Sequence, residues 1–494
     1  MAFKFLQTFL PASGLLAALM ASASPGPAPG LPNRIEGRSD QPRPNIIVLL
    51  ADDLGWRDLG CTGNPDHRTP NIDRLATEGM RFTDAYSAAP ICSASRAALL
   101  TGQSPARLHY EFVPKFQAGR QEGPWPMITP DFPTELPPAT PTVASLLKGA
   151  GYSTAFCGKW HLNRHQGHYL GWRPGSGPAD FGFGHCVDDF GGHPYGYPKP
   201  GRPPPALEGD AFPPDRLTDA AVDFIQRDHD QPFLLWMAYY YVHDPFHSRC
   251  ASRVAYHQAR LPAGADPRRA HYAAMVETLD QEVGRLLQAL TESGLAANTL
   301  VLFTSDNGGH PEVSANGPLR GSKWNLYQGG LRVPLIARWP GKARPASQCA
   351  DPVIGMDLAA TILAAAGLPT DNARDGRSFL PSLLGQPDPD RDRRPMLWHF
   401  PYYIPETRFA EAKPTIGVDD FRIQQVRPHA ALRVGQSKLV HHFESGRDEL
   451  FNLAADPSES RDLCQDQPET VAALRRQLMD GLAAQAARLP ARKP

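Results

Sequence analysis

Apolar runs that stop abruptly at polar residues organise this chain. The first, Asn45-Ile46-Ile47-Val48-Leu49-Leu50-Ala51, is too short for a helix and does not alternate. It predicts a strand buried on both faces, as in a parallel sheet, and it stops at Asp52-Asp53. Residues 152–157 predict a second strand that runs into Gly158-Lys159-Trp160-His161. Residues 232–242 predict a third, ending at His243-Asp244-Pro245-Phe246-His247, and residues 299–304 a fourth, ending at Ser305-Asp306-Asn307-Gly308-Gly309. Helical patterns lie between them at 71–79, 141–151 (amphipathic, with a glycine stop), 217–226 and 271–293; a strand at 335–338 and a helix at 357–366 follow.

Near residue 375 the pattern changes. Short strands at 430–434 and 438–443 flank a Gly435-Gln436 turn, another covers 449–453, and a helix spans about 468–488. The fold class predicted is α/β: a large, mostly parallel sheet sandwiched by helices, with a smaller C-terminal α+β portion containing an antiparallel sheet. At 494 residues the chain exceeds one ordinary core. The division expected is a signal peptide over 1–23, a Pro/Gly-rich leader over 24–43, a catalytic domain over 44–375 and a C-terminal subdomain over 376–494.

Composition narrows the class. A net charge of -1 shows none of the basic excess of nucleic-acid binders. Lys4, the apolar Leu15-Leu16-Ala17-Ala18-Leu19-Met20 and the small residues Ala21-Ser22-Ala23 read as an export signal, so the protein is expected to be periplasmic or secreted. No later apolar run is long enough for stable membrane insertion. Seven cysteines show no CxxC pair and no zinc spacing; in an oxidising compartment six could pair, leaving one over.

Cys92 is the candidate for chemistry. The stretch Ile91-Cys92-Ser93-Ala94-Ser95-Arg96-Ala97-Ala98-Leu99-Leu100-Thr101-Gly102 predicts a loop that delivers a cysteine to the mouth of a short helix. Ser93 and Ser95 are candidate N-caps and Gly102 the stop. The helix terminus and Arg96 favour an anion at Cys92; the plainer alternative is a small buried hydrophobe.

In open α/β sheets ligands bind beyond the carboxyl ends of the strands. All four polar strand ends fall there, which predicts one site. Asp52, Asp53, Asp306 and Asn307 offer only oxygen, selecting Ca2+ or Mg2+ over zinc or copper. Arg96, Lys159, Lys323, His161 and His243 add positive or protonatable groups suited to a tetrahedral oxyanion, sulfate or phosphate. The irregular stretch 163–215 carries His165, His168, His185 and His193, none singled out for a role.

Cys92-Ser93-Ala94-Ser95-Arg96 with Leu100-Thr101-Gly102 resembles the signature of type I sulfatases, of the alkaline-phosphatase-like superfamily. Ala51-Asp52-Asp53-Leu54-Gly55, Gly158-Lys159-Trp160-His161, His243-x-Pro245, Ser305-Asp306-Asn307-Gly308, Gly321-x-Lys323, Gly329-Gly330-Leu331-Arg332-Val333-Pro334 and Glu449-Leu450-Phe451-Asn452-Leu453 with Asp456-Pro457 are similar to the same family, in its order. The resemblance implies that a maturation enzyme oxidises Cys92 to formylglycine, whose hydrate attacks sulfur. It implies Ca2+, with Mg2+ the lesser alternative, held by Asp52, Asp53, Asp306 and Asn307 beside residue 92. Arg96 would steady the hydrate, and Lys159 and Lys323 would bind sulfate. His243, with Lys323, would protonate the leaving alcohol, and His161 would act as base. The substrate expected by analogy is a sulfated small molecule or oligosaccharide, selected by the 103–140, 163–215 and 395–430 segments. Two positions depart from the pattern: Ala94 replaces the commoner proline, and Gln328 a common glutamate. The competing readings are a phosphate or phosphonate ester hydrolase of the same superfamily, and a non-catalytic sulfated-glycan-binding protein with unmodified Cys92.

Overall fold

A computed structural model describes residues 42–115, 119–164, 172, 174–188, 205–370, 374–386, 388–405 and 425–494. The expected export signal, most of the leader, His165, His168, His193 and parts of the three substrate segments lie outside the described residues. The eight strands of the main sheet are β1 (Asn45–Ala51), β2 (Met80–Phe82), β3 (Ser153–Gly158), β4 (His185–Val187), β5 (Phe233–Ala238), β6 (Thr299–Ser305), β7 (Leu335–Arg338) and β8 (Ser347–Cys349). Their order is β8-β2-β7-β6-β1-β5-β3-β4. Only β7 runs antiparallel to its neighbours β6 and β2; the other pairings are parallel. The mostly parallel sheet read from the sequence is therefore present.

β1 sits in the middle because it is apolar on both faces. Ile46, Val48 and Leu50 pack with residues of α2 (Cys92–Thr101), α3 (Val143–Gly149) and α6 (Asp357–Ala365); Ile47, Leu49 and Ala51 pack with α1 (Pro70–Glu78), α4 (Arg216–Ile225) and α5 (Arg268–Glu292). Alternate side chains thus serve opposite cores, as strand geometry requires. The four strands whose ends carry the polar motifs, β6-β1-β5-β3, are adjacent and parallel. Register sets Ala51 beside Ser305 and both Leu50 and Gly158 beside Ala238, so the motifs begin at nearly one level.

The second sheet is antiparallel, β9 (Met396–Phe400), β10 (His429–Val434), β11 (Ser437–His442) and β12 (Asp448–Asn452) in that order. On one face Leu432 and Leu439 pack with Leu474, Leu478 and Leu482 of α7 (Pro468–Ala484). On the other, Trp398, Ala431, Val440 and Phe451 share a core with Ile91, Ala94, Ala98, Leu326 and Tyr327. Helix α2 is therefore gripped between two sheets, and all ten of its residues are buried.

Several expectations change. β5 ends at Ala238, not 242. Tyr239 to Val242 remain buried but leave the ladder to bond across the end of β1: Asp52 N–H donates to Tyr241 O (2.8 Å) and Val242 N–H to Asp52 O (2.8 Å). β9 was not foreseen. All seven cysteines are free, so six do not pair. His185 belongs to edge strand β4, its ring stacked on Phe224 at 5.9 Å. Among the described residues no helix is long and apolar enough to cross a membrane.

His399 of β9 gives the fold a pH-dependent term. Its ring is buried, Nε2 lies 2.9 Å from the Arg488 carbonyl, and burial pushes its pKa down to about 4. An unfolded histidine titrates near ~6.5, so acid protonates the unfolded chain first. The stabilisation is full above that value and is lost as pH falls toward the folded pKa. His399→Phe removes the term. We expect the variant's stability deficit in urea unfolding to shrink by about 2 kcal/mol between pH 7 and pH 5. A deficit independent of pH would refute this account of His399.

Candidate active site

Cys92 is the first residue of α2. Ile91, extended at φ -151° and ψ 144°, takes the N-cap position without a side-chain cap, and Gly102 ends the helix in the left-handed region at φ 72°. Ser93 and Ser95 lie inside the first turn and cap nothing, correcting the N-cap expectation; their hydroxyls are buried without hydrogen-bond partners. The expected anion at Cys92 is corrected too. Burial pushes the thiol up to about 12, and the opposing charges of Lys159 and Lys323 do not offset it. As cysteine, residue 92 is a neutral thiol.

The strand ends surround it. Lys159 follows Gly158, whose φ of 109° and position above Ala238 O exclude any Cβ: one would stand 1.9 Å from that oxygen. Lys159 Nζ donates to Asp52 Oδ2 at 2.5 Å. Asp53, left-handed at φ 59°, receives Lys323 Nζ at Oδ2 (2.6 Å) and Asn307 Nδ2 at Oδ1 (2.7 Å). Its own N–H donates to Asp306 Oδ1 at 3.1 Å. Arg96 reaches across from α2, donating Nε to Asp306 Oδ2 (2.8 Å) and Nη1 to the Lys159 carbonyl (2.7 Å); Nη2 lies 3.6 Å from Asp52 Oδ2. His243 Nδ1 is 2.8 Å from the Asp244 carbonyl, which fixes the proton there. Its Nε2 then faces Lys323 Nζ at 3.3 Å and Asp53 Oδ2 at 3.6 Å.

Three carboxylates and three cations share this buried space, and the protonation equilibria register it. Burial works against an ionised Asp53, but Lys323, His243 and Lys159 outweigh it and hold the group well below its usual range. Burial and then the Asp52 charge push Asp306 up to about 6. Burial also opposes the Lys159 and Lys323 ammonium groups, yet Asp52 and Asp53 respectively raise both above their ordinary values. His243 is lowered to about 4 by burial and by the charges of Lys323 and Lys159.

Ligand atoms of Asp52, Asp53, Cys92 and His243 all lie within 4.8 Å of one another. Asp306 and Asn307 attach through Asp53, Arg96 through Asp306, and Lys159 and Lys323 through the two aspartates. His161 is buried two residues past Lys159, in the left-handed region at φ 57°. Sequence reasoning missed His310, a buried ring 4.9 Å from Phe246 and 5.5 Å from Trp324, lowered to about 3 by burial and by Lys323. Its signal was its place directly after Asp306-Asn307-Gly308-Gly309. The donor set suits a hard divalent cation: all oxygen apart from residue 92 and His243, with Asp52 Oδ1 and Asn307 Oδ1 buried and lacking any hydrogen-bond partner.

Comparison with known proteins identifies the family. A family model described as Sulfatase matches residues 44–368, and one described as N-sulphoglucosamine sulphohydrolase, C-terminal, matches residues 322–487. The chain is 32% identical to the steryl-sulfatase of Mus musculus over 91% of its own length and 81% of that protein's. It is 34% identical to Homo sapiens arylsulfatase A, covering 85% and 83% respectively. Among solved structures it resembles Ps i-CgsB with a TM-score of 0.70 and 28% identity, over 89% of this chain and 93% of that one; a second structure of that protein holds k-i-k-neocarrahexaose. An acidic, lysine-bound cluster facing a helix-opening cysteine, on a scaffold matched over most of its length, makes this chain a member of the sulfatase family and a sulfatase enzyme.

Proposed function

We propose that this sulfatase hydrolyses sulfate monoesters with residue 92 as formylglycine, made from Cys92 by a maturation enzyme, and with Ca2+ bound by Asp52, Asp53, Asp306 and Asn307 beside it. One observation carries the reading: ligand atoms of Asp52, Asp53, Cys92 and His243 crowd within 4.8 Å, with two lysines bonded to the aspartates. A thiolate attacking sulfur would leave an adduct with no easy exit, whereas the aldehyde hydrate offers one hydroxyl for attack and a second for release of sulfate. Bound calcium supplies positive charge to sulfate oxygens, and an all-protein oxygen set suits it better than magnesium, which retains waters.

The chain's own residues do the rest. Lys159 and Lys323 bind sulfate oxygens and offset charge that grows in the transition state. Arg96, fixed between Asp306 and the Lys159 carbonyl, steadies the residue-92 hydrate. His243, anchored through Nδ1, accepts at Nε2 a proton from the Lys323 ammonium 3.3 Å away and relays it to the leaving alcohol. His161 is the base for release. Water and the sulfate ester become alcohol and sulfate. A sulfated carbohydrate is the substrate class we favour, in line with the carbohydrate bound in the 27%-identical structure. We also propose export after cleavage near residue 23, and a working division near residue 375 into catalytic and C-terminal parts.

Peptide mass spectrometry across Cys92 is expected to show the aldehyde's mass loss; intact thiol throughout a fully active preparation would sink the mechanism. An aryl sulfate should turn over far faster than the matching aryl phosphate, and the reverse preference would point to a phosphatase. Adding Ca2+ to chelator-treated protein should raise the melting temperature, because a ligand bound only by the native state stabilises it. Asp52→Asn should weaken that rise; an equal rise in the variant would exclude Asp52 as a ligand.

A further inference from the structure

The segment that carries Lys323 is held from two sides. Toward the site, Lys323 N–H donates to Gly309 O (2.9 Å) and Trp324 N–H to Pro90 O (2.7 Å). The segment then closes on itself, with Gly329 N–H on Arg320 O at 2.7 Å; a Cβ on Gly329 would stand 2.1 Å from Gly321 O. There is little slack in such a loop. Arg320, Lys323 and Gln328 thus belong to one closed loop.

The far side is gripped by the antiparallel sheet. Leu326 N–H donates to His429 Nε2 at 3.0 Å. Glu449 of β12 accepts from Arg320 Nη1 at 3.2 Å and from the Tyr327 hydroxyl. Glu459 accepts Gln328 N–H at Oε2 and Lys438 Nζ at Oε1, each at 2.6 Å. Glu459 and Lys438 are both 0% exposed, and Glu459 holds a left-handed φ of 56° that non-glycine residues rarely adopt. A buried ion pair is poor evidence for stability, because desolvation consumes the Coulombic gain. Here burial is the largest influence on both partners, pushing Lys438 down and Glu459 up. Its product is geometry: one carboxylate oxygen aimed at a single backbone amide. Glu449 opens the tail motif that the sequence singled out and the chemistry left without a role; Glu459 lies two residues beyond that motif's Asp456-Pro457.

We propose that Glu459 and Glu449 are positioning residues that set where the Lys323 ammonium stands between Asp53 and His243, a reading that rests on the role given above to Lys323. The C-terminal sheet and the turn that follows β12 then help to position the site, although none of their residues touches the reacting atoms.

The test uses full-length matured enzyme and p-nitrophenyl sulfate. Replacing the pair together, Glu459→Ala with Lys438→Met, avoids stranding a buried charge. We expect kcat per folded molecule to fall about 10- to 100-fold with little change in KM, the scale of a displacement near 1 Å. Glu459→Gln with Lys438→Met keeps an oxygen for Gln328 N–H and should recover most of the loss. On a Lys323→Ala background the same alanine pair should cost nothing further. An unchanged kcat, or the same fold-loss with and without Lys323, would leave the pair a structural element only and overturn the proposal. A Lys323→Ala enzyme as active as the parent would instead overturn the role of Lys323, and this inference with it. If the alanine pair does not fold, Glu449→Gln is measured the same way, in both backgrounds and against the same outcomes.

Discussion

Two adjacent carboxylates at the buried end of the central strand constrain everything around them. Asp52 and Asp53 are both 0% exposed, and an uncompensated charge there would be very costly. Compensation comes from distant parts of the chain, with Lys159 from the end of β3 and Lys323 from the loop before β7. The same pairing that makes the burial tolerable brings two lysines to one point, the cations to which the proposed mechanism assigns sulfate binding. Stability and chemistry share these contacts, so the site and the sheet edge are one object.

Placing residue 92 is a separate problem, solved by packing. α2 is buried on every side and so needs neighbours all round. The parallel sheet covers one flank through Ala97, Leu99 and Leu100, and the antiparallel sheet the other through Ile91, Ala94 and Ala98. The first turn then faces the carboxylates, and Arg96 crosses from the helix to Asp306 as a strut. The small sheet also grips the Lys323 segment through His429 and Glu449, and the turn after β12 does so through Glu459. It borders the active site structurally on two fronts.

Much of this was legible in the chain. β1 was read with its observed bounds, and the polar residues at four strand ends were placed in one site because parallel strands share a carboxyl edge. Less was legible where burial competes with a local rule. The helix terminus and Arg96 argued for an anion at Cys92, but desolvation is the larger effect and was invisible without the surrounding packing. Ser93 and Ser95 look like caps in sequence, yet the helix begins one residue earlier. The run 232–242 is apolar to its end, but only its first part pairs; the tyrosines that follow cover the end of β1 instead.

Sequence by itself determined the local facts: which segments must be buried, where each apolar run stops, and which ligand chemistry the oxygen donors and basic residues can offer. These follow from side-chain type and period, which need no partner to be read. Tertiary structure alone decided who neutralises whom: Lys159 with Asp52, Lys323 with Asp53, Arg96 with Asp306, Lys438 with Glu459. Such pairings join residues tens to hundreds of positions apart, and their strength depends on burial and distance. Neither quantity exists until the chain has packed.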